Sequence, residues 1–74
     1  GYVSQNDTIR KHLQEGHTLT PLEAFQLCGT LALHSRIAEI RPSFEAHGEY
    51  IACNIVTVEG GKRVGCYSLQ RIAL

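Results

Sequence analysis

The sequence lacks the features that would place it in several large functional classes. It has no apolar run near the roughly 20 residues a membrane-spanning helix requires. Its first residues, Gly1 to Asp7, lack the charged-then-apolar layout of a secretion signal. Its three cysteines, Cys28, Cys53 and Cys66, are odd in number and widely spaced. That argues against a disulfide framework and for a reducing compartment. No CxxC occurs, and His12, His17, His34 and His47 have no partner at zinc-ligand spacing, so no metal site is expected. Gly60-Gly61 lacks the strand-loop-helix surroundings of a phosphate-binding loop. No Cys or Ser has a base and an oxyanion site arranged around it, so no catalytic residue and no cofactor is expected. Net charge is also missing, since seven Lys and Arg balance seven Asp and Glu.

The chain has 74 residues, which is one domain, 1–74, without repeats or linkers. A domain of this size buries only about 60% of its unfolded surface and has little room for a substrate cavity. Apolar residues at 43% and charged residues at 19% are globular proportions, not those of a disordered chain.

Helical signals fill the first half. Helix 1 is expected over 6–15, with Asn6 or Asp7 as N-cap, Ile9 and Leu13 on one face, His12 at its edge and Gly16 after its end. His17-Thr18-Leu19 reads as a short extended link, with a short strand near Leu19. Thr20-Pro21-Leu22-Glu23 is the sharpest local signal. Thr20 caps, Pro21 takes the first helical position and Glu23 completes a capping box, predicting helix 2 over 20–28. Its apolar face is expected from Leu22, Phe25 and Leu27 or Cys28, and Gly29 ends it. Helix 3 is expected over 31–41, capped by Thr30, with Leu33, Ile37 and Ile40 in the core and Pro42 stopping it. Ser43 to Glu49 then reads as a loop.

The last third reads as strands. Residues 50–69 predict a β-hairpin around Gly60-Gly61, with Gln70 to Leu74 as a tail. A two-residue turn would set Ile55 opposite Cys66, whereas a bulge would change that register. Tyr67 and Leu69 are expected in the core, and the cysteines as small buried hydrophobes. The turn at Gly29 is too short for antiparallel packing of helices 2 and 3 and suits a helix-turn-helix unit. The fold class is therefore α+β, a winged helix-turn-helix of three helices followed by a β-hairpin wing.

Several segments together resemble a family of small helix-turn-helix proteins common in phages and prophages. They are Ile9, His12 and Leu13; Thr20-Pro21-Leu22-Glu23-Ala24; Ser35-Arg36-Ile37; and Gly61-Lys62-Arg63 with Tyr67 and Leu69. Nearly the whole chain takes part. The resemblance implies the same fold and, less directly, DNA binding in the cytoplasm of a bacterial or phage-infected cell. The role implied is transcription regulation or accessory work in recombination. The sequence departs from the family pattern in a longer segment between Arg41 and Ile51, and in having no basic residue at Leu31 to Leu33.

On this fold Arg36 and Arg41 lie on helix 3, and Lys62 and Arg63 at the wing, so four of the seven cations occupy the two DNA-facing elements. Arg10 and Lys11 could reach a flanking phosphate. His34, Ser35 and Glu39 are candidates for reading base edges of double-stranded DNA. The blander reading makes Lys62 and Arg63 solvated turn residues and pairs Arg36 with Glu39 or Glu23. A different class competes as a whole: a protein-interaction module on the same fold, such as an inhibitor docking on a host enzyme. Zero net charge, Glu45, Glu49, Phe44 and Tyr50 favour it. A homodimer contact or a protein partner would then use the 42–49 loop.

Overall fold

The computed structural model describes residues 4–72; the start of the N-terminal segment and the end of the tail lie outside them. Three helices, α1 (Gln5–Gln14), α2 (Pro21–Cys28) and α3 (Leu33–Glu45), precede an antiparallel hairpin of β1 (Glu49–Thr57) and β2 (Arg63–Arg71). This is the α+β winged helix-turn-helix layout that the sequence predicts.

The core is one cluster. Ile9 and Leu13 of α1, Ala24 of α2, and Leu33, Ile37, Ile40 and Phe44 of α3 meet Leu19, Ile51 and Tyr67 there. Leu19 is the hinge between helices and wing. It forms a single antiparallel bridge with Tyr67, so the expected short strand near Leu19 is one residue long.

The helix ends show where local chemistry decided and where packing did. The Thr20 capping box is present in full: the Thr20 N–H donates to Glu23 Oε1 at 2.9 Å and the Glu23 N–H to Thr20 Oγ1 at 3.4 Å. Gly29 closes α2 in the left-handed conformation, at φ 75°. α1 starts earlier than the sequence suggests. Ser4, not Asn6 or Asp7, is its N-cap and accepts from the Asp7 N–H at 3.1 Å.

α3 departs most from expectation. It begins at Leu33, after an N-cap, Ala32, that makes no side-chain bond. Thr30 instead accepts from the Ala32 N–H inside the turn, leaving Leu31 outside the helix. At the other end Pro42 does not stop the helix, which runs through it to Glu45. A proline removes one backbone hydrogen bond and crowds the preceding turn. Pro42 is exposed, so water can take up the freed carbonyl. The extra turn buries Phe44 four residues after Ile40, and both are nearly inaccessible. The first half of the expected 42–49 loop is thus helix, and only Ala46 to Gly48 remains as a turn.

α2 also corrects the sequence reading. Leu22, Phe25 and Leu27 are exposed, and Ala24 is the buried residue, with Cys28 half-buried against the core. A short helix packed against α1 and β2 buries a narrow stripe, and the small side chain at Ala24 allows close approach.

The hairpin turn spans three residues, Glu59 to Gly61, with Gly60 at φ 83° and Gly61 at φ 76°. The Val58 N–H donates to the Lys62 carbonyl at 2.8 Å and closes the turn. Ile55 therefore pairs with Gly65, not Cys66, and β2 runs on to Arg71 through the expected tail. Because side chains alternate, this one-residue difference decides the faces. Ile51, Cys53 and Ile55 share the core-side face with Gly65, Tyr67 and Leu69. Cys53 sits beyond the core on that face and is exposed, contrary to its expected burial, while Cys28 and Cys66 are half-buried.

Candidate nucleic-acid interface

α3 turns about 100° per residue, so its side chains divide among four directions. Leu33, Ile37, Ile40 and Phe44 face the core. His34 and Arg41 occupy the flank toward β2. His34 Nδ1 makes a long contact of 3.5 Å with the Tyr67 hydroxyl, and the Arg41 charge acts on that same hydroxyl. Arg36 and Glu39 lie toward α1, where Asn6 Nδ2 donates to Glu39 Oε1 at 3.4 Å. Ser35, Ala38 and Pro42 are exposed and point away from the core.

The candidate residues thus separate into two groups. Arg36 Nε lies 3.1 Å from Glu39 Oε1, an ion pair whose N–H direction falls short of a hydrogen bond. Both partners are partly solvated, so the pair contributes little to stability. It does hold Arg36 and Glu39 together on the α1 side, away from the wing. The pairing considered for Arg36 in the sequence is therefore present with Glu39, not with Glu23, whose carboxylate caps α2.

His34 and Arg41 face the other way, toward the wing. Arg63 pairs with Thr57 at the end of the hairpin and shares the core-side face with Tyr67. Lys62, beside it, is exposed. The angle between α3 and the wing is therefore edged by His34, Arg41 and, farther out along the hairpin, Arg63, with Tyr67 at its base, whereas Lys62 lies beside Val58 and Val64 against the start of α2. Gly65 keeps the wing's inner face low, because a Cβ there would come within 3.1 Å of Cys53 Sγ. Burial raises the pKa of the Tyr67 hydroxyl above its ordinary value, the neighbouring Cys53 thiol adds to this, and Arg41 pulls the other way. Tyr67 therefore stays neutral and supports the angle without adding a negative charge.

Of the flanking cations, Arg10 lies over the Phe44 ring, 5.9 Å from its centroid, and Lys11 is exposed. His12 stacks on His17 with centroids 4.7 Å apart. No group of three or more His, Cys, Asp or Glu gathers into a metal-binding arrangement among the described residues. No helix among them is long and apolar enough to cross a membrane.

The structure also exposes Leu22 and Phe25, which the sequence assigned to the apolar face of α2. Leu22, Phe25 and Leu31 stand at the leading end of α3 and line one open depression together with Pro21, Thr30 and Leu33. The available signal was the missing cation at Leu31 to Leu33. No family model matches the chain, and no curated protein or solved structure is significantly similar to it.

Proposed function

We propose that the protein binds double-stranded DNA, with α3 in the major groove and the hairpin against the adjacent backbone. The observation that carries this reading is the placement of His34 and Arg41 on the wing side of α3, with Arg63 on the inner face of the hairpin and Lys62 beside its turn. Phosphate contacts supply most of the affinity of such domains. Arg41, Lys62 and Arg63, three charges of one sign on two neighbouring elements, can provide it even in a chain of zero net charge. Arg41, Lys62 and Arg63 would bind phosphate. Ser35, and His34 from its flank, would approach base edges. Arg36 and Glu39 are reassigned to bracing α3 on α1. The likeness of the sequence to the small phage and prophage helix-turn-helix proteins supports the same reading, and with it a regulatory or recombination-accessory role in a bacterial cytoplasm. A module this small touches few base pairs, so a second copy or adjacent sites would supply specificity.

The test is binding to random duplex DNA across a salt series. Affinity should fall steeply as salt rises. The double variant Lys62→Ala, Arg63→Ala should weaken binding to every sequence and lower the salt slope by about two. Absence of binding at low salt would reject the reading.

One observation favours a protein-interaction module instead: the exposed Leu22, Phe25 and Leu31 form an apolar surface beside α3. The 42–49 segment no longer provides it, since Phe44 is buried.

A further inference from the structure

The exposed apolar surface runs on to the wing. Leu31 is 90% exposed, Leu22 66% and Phe25 49%. Pro21 and Leu22 line the depression at the leading end of α3, and they also line a second one with Val58, Lys62 and Val64. The two depressions make one strip from Leu31 to the hairpin. A cation, Lys62, borders it at the wing end. Of the acids on these elements, Glu23 is held by the Thr20 backbone, and Glu59 stands in the hairpin turn.

An apolar strip with a cation at its wing end suits a polyanion that itself presents apolar groups. In the major groove the thymine C5-methyl is such a group, and aliphatic side chains are its usual partners. The first residues of a recognition helix reach base edges. Here Leu31 and Ala32 lead directly into α3 and Ser35 lies in its first turn, and none of them is the Arg or Lys that reads guanine. We infer that Leu31 reads thymine methyl groups and that the protein prefers A·T-rich duplexes, an inference that rests on the DNA-binding reading. A large aliphatic side chain left almost wholly in water at the tip of a helix-turn-helix is then a contact residue awaiting its partner.

The experiment is fluorescence anisotropy at low salt with two duplexes of identical sequence, one containing only A·T pairs and the other with uracil replacing thymine. The substitution removes the methyl and keeps every hydrogen-bonding edge. Wild-type protein should bind the uracil duplex more weakly by roughly fourfold per contacted methyl, the equivalent of about 0.8 kcal/mol for one buried CH₂-sized group. Leu31→Ser, at an exposed position that leaves the core intact, should bind both duplexes equally. Equal wild-type affinity for the two duplexes, with binding still salt-dependent, would overturn the inference and leave the DNA reading standing. So would a Leu31→Ser protein that still distinguishes them. No binding to either duplex would overturn both. A dimer in sedimentation that Leu31→Ser dissociates, with no methyl dependence, would assign the strip to self-association and overturn the inference.

Discussion

Leu19 and Tyr67 exchange both backbone hydrogen bonds: the Leu19 N–H donates to the Tyr67 carbonyl at 2.9 Å, and the Tyr67 N–H donates to the Leu19 carbonyl at 2.8 Å. This single bridge ties the link between α1 and α2 to the second strand of the wing. Leu19 is fully buried and Tyr67 nearly so. The wing consequently holds a fixed direction relative to α3, and the angle that carries His34, Arg41 and Arg63 depends on it.

Leu19→Ala should therefore damage more than one element. Deleting a buried Leu side chain costs about 2–5 kcal/mol. That is a large share of the 5–15 kcal/mol typical of whole proteins, and small domains lie at the low end. Urea unfolding should show the midpoint falling sharply or the fold lost outright. A shift of under about 1 kcal/mol would mean the bridge does not anchor the wing.

Pro42→Ala should stabilise. An interior proline is about 3 kcal/mol worse than alanine in a helix. Its stiffening of the unfolded chain returns about 0.4–1 kcal/mol. The expected gain is about 2 kcal/mol, read as a higher urea midpoint with unchanged slope. A loss of stability would show that α3 needs the proline's shape to present Phe44.

Tyr67 predicts an alkaline limit. Its pKa is raised in the folded state, chiefly by burial. Above pH about 10, the ordinary tyrosine value, the unfolded chain loses this proton while the folded protein keeps it. The unfolded state then binds fewer protons, so stability falls as pH rises. Below pH about 10 this contribution is fully present. Tyr67→Phe should flatten that part of the profile relative to wild type, as followed by unfolding at pH 8 to 11. Parallel profiles for the two proteins would remove Tyr67 as the cause.

Arg36 and Arg41 should behave differently despite lying on one helix. Arg41→Ala should lower duplex affinity at all sequences and reduce the salt slope by about one. Arg36→Ala should leave the slope unchanged, because its guanidinium is turned to Glu39 and α1. Equal effects of the two changes would mean that the α1 side of α3 also meets DNA.

The sequence determined the elements whose causes are local. The capping box at Thr20 and Glu23, the left-handed residues at Gly29, Gly60 and Gly61, and the helical spacing of Leu33, Ile37 and Ile40 act through neighbours in the chain. They suffice to write helix, helix, helix, hairpin. Tertiary structure decided what depends on competition between distant groups. Burial of Phe44 outweighed the helix-stopping tendency of Pro42. A three-residue turn shifted the wing register by one and set Cys53 and Ile55 on the inner face. Packing through Ala24 turned Leu22 and Phe25 outward. The candidate interface belongs to this second kind. Its cations are visible in the sequence as residue types. Only the packing of α3 against α1 and the wing turns Arg36 away from the angle and brings Arg41 to it, because a side chain's direction follows from which face its helix buries.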